Sequence, residues 1–209
     1  MARSQNPLTG RMSGGVGNFV TSTYRGQNVI RSKAFTHKDA NSDAQKKHRS
    51  LFKELSGVYA SFASLVADGF PGRPKNQSPY NAFIAANLSE AVDRSGEIPE
   101  IDYSRLVLSK GTLPLVNVTS TLVGEDGLTI HYTTLSGITG AASDDVVMAV
   151  LKTTEGYVYS ASKPRGTNVS DSVVLASSDT AVESVSYIYL MVVSANKTKA
   201  SQTVYVPVN

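Results

Sequence analysis

The residue types that could do chemistry in this sequence are closely spaced glycines, three histidines and two pairs of adjacent carboxylates. Gly14, Gly15 and Gly17 have the density of a phosphate-binding loop. No Lys-Ser or Lys-Thr pair follows at the spacing of such a loop, and the next residues are typical of strands, so the helix N-terminus that would hold a phosphate is missing. These glycines therefore predict a bent arm and no nucleotide site.

The histidines and the acidic pairs also lack the neighbours that metal binding or acid–base catalysis needs. The histidines are His37, His48 and His131. None of them has a second histidine and a carboxylate at metal-ligand spacing. The acidic pairs, Glu125-Asp126 and Asp144-Asp145, lie in predicted turns, where Asp and Glu are common for backbone reasons. The sequence predicts no metal, no other cofactor and no enzyme activity.

Basic side chains form the one group with a predicted partner. Residues 1–75 contain 12 Lys and Arg against 4 Asp and Glu, whereas residues 76–209 contain 8 against 13. The residues predicted to face nucleic acid or an acidic protein surface are Arg25, Arg31, Lys33, Lys46, Arg49 and Lys53. Binding to a phosphate backbone would be independent of base sequence and sensitive to salt. We favour the alternative, a solvated helix face beside an arm that docks onto another subunit.

A long amphipathic helix over residues 42–67 is the element that must position these groups. Its apolar residues recur at i, i+3, i+4 and i+7 and fall on one face, which also carries His48 as a packed or capping side chain. Such a helix rises roughly 39 Å, so its apolar stripe needs a partner. We predict a contact between subunits. The residues predicted to form it are Phe19, Val20, Leu51, Leu55, Val58 and Phe62.

The sequence pattern divides the chain into three parts of an α+β protein. Residues 1–37 are predicted to form a basic arm without a core and then a β-hairpin, with strands at residues 19–24 and 28–31. Residues 38–96 are predicted to form a helical hairpin, whose second helix begins at Pro79 after the N-cap Ser78 and runs to about residue 94.

Residues 103–209 consist of short β-branched runs separated by turn residues, which predicts an antiparallel β-sandwich. The expected strands are residues 104–108, 115–122, 128–133, 145–153, 157–160, 171–176, 185–194 and 202–206. The run at 185–193 is apolar on both faces, which is typical of a central strand. The chain has no Cys and no Trp, so a fibronectin type III-like sandwich fits better than an antibody-type immunoglobulin domain.

The sequence also bears on where the protein is made. It has no run of 18 apolar residues, and its first 20 residues contain no apolar core of a secretion signal. We therefore expect synthesis in the cytoplasm and no membrane span. The absence of cysteine excludes disulfides and thiolate sites.

Four stretches of the chain resemble a family of uncharacterised proteins of about 200 residues from Bacteroidota and their phages. The stretches are NPLTGRMSGGVGNFVTSTYRGQNVIRSKAF, NSDAQKKHRSLF, SPYNAFIAANL and IDYSRLVLSKGTLP, and the most specific pieces are residues 6–18, 41–52 and 103–114. One departure is visible, since the family usually has a proline before the long helix, where this chain reads Lys38-Asp39-Ala40-Asn41. The resemblance carries no catalytic residue and implies an abundant structural protein of mobile elements.

Two functions from different classes follow. The first is a non-enzymatic structural or assembly protein, such as a capsid, neck or tail accessory of a phage-type virion, which forms a homo-oligomer or binds other virion proteins through its arm and helices. The alternative is a nucleic-acid-binding protein that uses its basic N-terminal half. A glycan-binding role for the sandwich would rest on fold analogy alone.

Overall fold

The protein folds as two compact units, Met1–Asp43 and Ala44–Asn209. The computed structural model describes residues 2–4, 11–24, 27–34, 36, 39–96, 98–124, 127–134, 139–176 and 185–207. The division falls at the start of the long helix. The helices and the later strands belong to the second unit.

The N-terminal unit is a four-stranded antiparallel sheet. Its strands are β1 (Ala2–Ser4), β2 (Gly14–Val16), β3 (Phe19–Tyr24) and β4 (Gln27–Ser32), in the order β1-β4-β3-β2. The predicted hairpin is confirmed as β3 and β4, while Arg25 and Gly26 of its turn lie outside the described residues. The segment predicted to be a free arm supplies β1 and β2, because the hairpin leaves unpaired backbone groups along both of its edges.

Two helices precede the sandwich, as predicted. The first, α1, spans Asp43–Gly69, and the second, α2, spans Pro79–Glu90. The Ser78 hydroxyl caps α2 by accepting a hydrogen bond from the Asn81 amide at 3.1 Å, and Pro79 fits the first helical position. The second helix is shorter than expected, because β5 (Val92–Asp93) begins there and pairs with β6 (Glu100–Ile101).

Among the described residues of the C-terminal unit, seven antiparallel strands form the sandwich in two sheets. The three-stranded sheet contains β7 (Asn117–Gly124), β8 (Gly127–Thr133) and β11 (Ser170–Ala176), in the order β11-β8-β7. The four-stranded sheet contains β9 (Val146–Thr153), β10 (Val158–Pro164), β12 (Val185–Val193) and β13 (Val204–Val206), in the order β10-β9-β12-β13. The sequence placed all seven of these strands to within a few residues.

The four-stranded sheet is the middle of three layers. On one face, alternate residues such as Leu151 and Ile188 pack against Ile130 of the three-stranded sheet. On the other face, Tyr189 and its neighbours pack against the helices. Central strand β12 is therefore buried on both sides, as its composition predicted, and the helical hairpin and the sandwich share a core.

Residues 106–111, here called the clamp segment, connect the helices to the sandwich. Both backbone groups of Val107 bond to the buried Asn87 side chain, the amide at 2.8 Å and the carbonyl at 2.9 Å. The Thr203 hydroxyl accepts hydrogen bonds from the Leu108 and Ser109 amides at 2.9 and 2.7 Å. The Asn87 and Thr203 side chains thus form hydrogen bonds with the backbone amides and carbonyl that would otherwise pair with a neighbouring strand.

The expected strand at residues 104–108 is therefore wrong. Its first part is a short 3-10 helix, Tyr103–Arg105, because the Asp102 carboxylate accepts a hydrogen bond from the Ser104 amide at 3.0 Å and caps the turn. Its second part is the beginning of the clamp segment.

A buried ion pair lies where the chain enters β9 and leaves β10. The Arg165 Nη1 and the Asp145 Oδ2 are 3.6 Å apart, and the side chains are 1% and 3% exposed. The Asp145 carboxylate also accepts the Ala142 amide at 2.8 Å, while the Arg165 Nη2 donates to the Leu115 carbonyl at 3.0 Å. The sequence pattern predicts Asp145 in a turn pair with Asp144, whereas the structure buries its side chain.

Candidate interaction surfaces

The four helical residues predicted to meet a second subunit are buried inside their own chain. Leu51, Leu55, Val58 and Phe62 all belong to the core between α1 and the four-stranded sheet. The Phe62 ring contacts the Tyr189 ring edge to face, with centroids 6.1 Å apart. These residues therefore do not form the predicted subunit contact, because the four-stranded sheet of the same chain covers the apolar stripe.

The N-terminal sheet keeps apolar side chains on its surface. Val16 and Phe19 are cross-strand partners in β2 and β3, so they lie on the same face, and they are 60% and 55% exposed. Val20 points to the opposite face and is half-buried. The described residues of this unit include no helix that covers either face. Phe19 is therefore the member of the predicted subunit contact that the structure leaves available.

The predicted basic residues divide between the two units. Arg31 and Lys33 are exposed in the N-terminal unit, while Arg25 lies outside the described residues. Lys46, Arg49 and Lys53 are exposed on α1 at i, i+3 and i+7, which places them on one face over roughly 10 Å of helix. The α1 basic face, defined by these three residues, is thus a real surface feature.

The histidines do not take the places that the sequence suggested. His48 is exposed and not packed in the apolar stripe, because the buried part of the stripe begins only at Leu51. His131 is half-buried on β8, and His37 lies outside the described residues. Within the described ranges, no three His, Asp or Glu side chains converge as a metal site would require.

A second basic surface lies at the far end of α1, where the loop between the helices meets a turn of the sandwich. Two adjoining clefts, each of about 430 Å³, share Arg73 and Gln77 as lining residues. Lys110 lines the first cleft, and Lys75 and Lys197 line the second. We call this pair of clefts, with its four basic residues, the loop cleft.

The loop between the helices holds Arg73 in place. After α1 ends at Gly69, the Arg73 Nη1 donates a hydrogen bond to the Phe70 carbonyl at 2.7 Å and so caps the end of the helix. The Gln77 amide donates to the Pro74 carbonyl at 2.8 Å, which closes a turn immediately before Ser78. The loop is therefore built from proline-restricted turns and a side-chain cap.

The turn after β12 holds Lys197. The Asn196 carboxamide oxygen accepts hydrogen bonds from the Thr198 amide at 3.1 Å and the Thr198 hydroxyl at 2.6 Å. Lys197 has a φ of +56°, a left-handed conformation that favours glycine. Its ammonium group forms an ion pair of 2.8 Å with Asp68 near the end of α1.

Sequence reasoning missed the loop cleft because its four basic residues come from three separate segments. Arg73 and Lys75 entered only the charge count, and Lys110 and Lys197 lie in a half of the chain whose net charge is negative. The proline-rich loop and the turn at Asn196 were each recognisable, but nothing in the sequence shows that they meet.

An aromatic cluster lies between α1, the short 3-10 helix and the four-stranded sheet. The Tyr103 and Tyr187 rings are 5.1 Å apart, and the Lys152 ammonium lies 4.5 Å from the Tyr103 ring centroid. Burial lowers the pKa of Lys152. Burial, with the Glu54 charge as a second cause, raises the pKa of Tyr103. This cation–π contact is made within the chain, so the cluster is a part of the core boundary.

Two other tyrosines are fully buried and differ in their hydroxyl partners. The Tyr189 hydroxyl donates a hydrogen bond to the Tyr103 carbonyl at 2.8 Å, whereas the Tyr132 hydroxyl has no partner among the described residues. Burial raises the pKa of Tyr132 to about 12, with the Asp171 carboxylate adding to the shift and Arg165 opposing it. Burial, followed by the neighbouring tyrosines, also raises the pKa of Tyr189.

These shifts predict a loss of stability in alkali. A phenol that stays protonated in the folded protein ionises near pH 10 in the unfolded chain, so its contribution is complete below about pH 10 and is lost as pH rises through the folded pKa. We expect Tyr189→Phe to lower the free energy of unfolding by about 1 kcal/mol at neutral pH, because a hydrogen bond is lost. We expect Tyr132→Phe to leave it unchanged or slightly raised, because the buried hydroxyl that it removes has no partner among the described residues. Each variant should flatten the alkaline decline.

Urea denaturation at neutral pH and at several values above pH 10 measures both effects. The exposed Tyr157 supplies the control, since Tyr157→Phe should alter neither the neutral value nor the alkaline decline. Equal losses for Tyr132→Phe and Tyr189→Phe at neutral pH would contradict the assignment of hydroxyl partners.

Comparison with known proteins found a family match that covers most of the chain. The profile described as "Family of unknown function (DUF6266)" matches residues 11–207, which is most of the chain. The chain belongs to the DUF6266 family. This confirms the expectation of an uncharacterised family about 200 residues long. No curated protein and no solved structure matches this DUF6266 chain.

The DUF6266 match includes both basic surfaces and the clamp segment, and it begins after β1. Among the described helices of this family member, none has the length and apolar character needed to cross a bilayer.

Proposed function

We propose that this DUF6266 protein is a non-enzymatic structural protein that assembles with further copies of itself, or with other virion proteins, as a capsid, neck or tail accessory of a phage-type particle. The observation that carries the proposal is the N-terminal sheet. Val16 and Phe19 lie together on one face and are more than half exposed. Covering these exposed apolar side chains removes their surface from water, so docking of this face onto another protein surface is favourable.

Charge favours the C-terminal unit of a neighbouring copy as the docking surface. The unit Met1–Asp43 contains 6 Lys and Arg against 2 Asp and Glu, whereas Ala44–Asn209 contains 14 against 15. Two N-terminal units would repel each other, and a contact between unlike units avoids this repulsion. Such a head-to-tail contact is heterologous, so it generates a ring or an open filament, the arrangements from which virion parts are built.

The strand order of the sandwich supports its assignment as a fibronectin type III-like module. If β7 to β13 are lettered A, B, C, C′, E, F and G, the sheets are A-B-E and C′-C-F-G. This order differs from the constant-type immunoglobulin arrangement, whose sheets are ABED and CFG, and so favours the fibronectin type III-like variant. In the proposed particle, the module is a decoration or adhesion domain attached to the assembling unit.

The test is the mass of the purified protein by light scattering at low and high salt. We expect the wild type to scatter as a multiple of 22.2 kDa. Phe19→Ser should shift it toward the monomer, because it removes apolar area from the docking face. Val174→Ser is the matched control, since Val174 is 46% exposed on the outer face of β11 in the sandwich. A wild type that is monomeric at high concentration in both salts would overturn the proposal.

The exposed α1 basic face favours nucleic-acid binding as the second candidate function. Charge reversal at Lys46, Arg49 and Lys53 should then weaken binding to duplex DNA and reduce the dependence of the binding constant on salt. No binding of the wild type to DNA at low salt would exclude this candidate.

A further inference from the structure

We propose that the loop cleft is a binding site for an organic phosphate, with the phosphate group held by Arg73, Lys75 and Lys197 and the rest of the ligand lying in the first cleft. The site differs from the N-terminal sheet and from the α1 basic face, so the inference stands independently of both functions proposed above. It rests on the charge, the shape and the rigidity of the cleft.

The charge of the loop cleft is strongly one-sided. Its lining includes four basic residues and no Asp or Glu. The C-terminal unit as a whole has one more acidic than basic residue, so this concentration of cations is local. Asp68 is adjacent, because it pairs with Lys197. Three cations around one cleft suit a dianion with several acceptor oxygens better than a single carboxylate.

The two halves of the loop cleft suit the two parts of an organic phosphate. The second cleft carries Arg73, Lys75 and Lys197 together with the Thr198 hydroxyl. The first cleft is lined by small and apolar side chains together with hydrogen-bonding ones. The apolar lining residues are Phe70, Ala82, Ala85 and Ala86, and the hydrogen-bonding ones are Gln77, Ser89, Lys110 and the shared Arg73. Each cleft, at about 430 Å³, is within the range of about 300–1,000 Å³ for small-ligand sites.

Two of the phosphate-binding residues, Arg73 and Lys197, are held in place before a ligand arrives. Arg73 is fixed by its hydrogen bond to the Phe70 carbonyl, which still leaves most of its guanidinium donors for an anion. Lys197 is presented by a hydrogen-bonded turn in a left-handed conformation that is unfavourable for lysine. A fixed arrangement of cations reduces the entropy that binding must overcome. The Asp68 carboxylate occupies the Lys197 ammonium in the free protein, so a bound phosphate competes with it.

Isothermal titration calorimetry with three probes tests the proposal: inorganic phosphate, adenosine 5′-monophosphate and a short thymidine oligonucleotide. We expect the mononucleotide to bind about tenfold more tightly than inorganic phosphate, because its nucleoside also contacts the first cleft. Lys197→Gly should weaken binding about tenfold through the loss of one charged contact. The same change relieves the backbone at φ +56°, so folding should not suffer. Asp68→Asn should strengthen binding, because it removes the competing carboxylate.

The controls separate this site from general attraction to a basic protein. Lys199→Ser removes a neighbouring cation that does not line the cleft and should leave binding within about twofold of the wild type. The charge-reversed α1 variant should also bind the probes normally. If the mononucleotide binds and Lys197→Gly weakens that binding, the ligand is a free organic phosphate. If only the oligonucleotide binds and Lys197→Gly weakens its binding, the ligand is a phosphate within a nucleic-acid strand. No binding at millimolar probe, or binding that Lys197→Gly and Asp68→Asn leave unchanged, overturns the proposal.

Discussion

Replacing Gly111 by Ala should lower the free energy of unfolding by about 3 kcal/mol, the upper end of the cost of overpacking. A Cβ atom at Gly111 would lie 2.1 Å from the Ala200 carbonyl oxygen, well inside van der Waals contact. The obstacle is backbone, so the clamp segment and the turn before Thr203 must both shift. That shift strains the amide of Leu113, which donates to the same carbonyl at 2.9 Å. Gly69→Ala should behave alike, since its Cβ would lie 2.2 Å from the Leu108 carbonyl oxygen.

Gly57→Ala is the matched control for this effect. Gly57 lies inside α1, and a Cβ there would meet nothing within 4 Å. The substitution should raise the free energy of unfolding by about 0.5–1 kcal/mol, because alanine favours the helix. Urea denaturation of the three variants measures the differences. A loss below about 1 kcal/mol for Gly111→Ala would show that the clamp segment is not tightly apposed to Ala200.

Replacing Arg165 by Met should cost about 3–5 kcal/mol, the second large effect that the structure predicts. The substitution leaves the Asp145 carboxylate buried without its counter-ion, which is the expensive half of breaking a buried pair. It also leaves the Leu115 carbonyl without the donor it has from Arg165. Methionine fills much of the vacated volume, so loss of packing contributes little.

The double variant Arg165→Met, Asp145→Asn tests this cause. Removing both charges should cost less than the sum of the two single substitutions, by at least about 1 kcal/mol, because the uncompensated charge is gone. Denaturation curves of the four proteins provide the cycle. Simple additivity would mean that the two side chains act separately, through packing and backbone hydrogen bonds.

Periodicity predicted most of the elements, because helices and strands have different repeats. Three local patterns predicted their elements correctly, because each depends only on residues that are close in sequence. They are the apolar stripe of α1, the Ser78 cap of α2 and the alternation of apolar and polar residues in β8. The clamp segment was not, since its conformation is set by Asn87 and Thr203, which lie far away in the chain.

The partner of the α1 stripe shows where sequence reasoning reaches its limit. The spacing of Leu55 and Phe62 predicts an apolar helix face. That spacing is the same whether a sheet of the same chain or a second subunit covers the face. Tyr189 and Met191 on β12 indicate that the sheet is the partner. A strand that is apolar on both faces must pack against two layers, and these two residues face the helices. The loop cleft could not be predicted from the sequence. Its four basic residues come from three separate segments, so a count of charges along the chain does not show that they lie together.

The double-sided burial of the four-stranded sheet has a consequence for how this chain can be exchanged between proteins. Sandwich modules of the beads-on-a-string kind have solvent on the outer faces of both sheets, so they can be cut out, duplicated or fused as they stand. Here the outer face of β9 and β12 is apolar and packs against the helices. The sandwich alone would therefore expose an apolar surface that promotes aggregation. A gene fusion or exchange should therefore keep the sandwich together with the preceding helices, as one unit that begins near the start of α1.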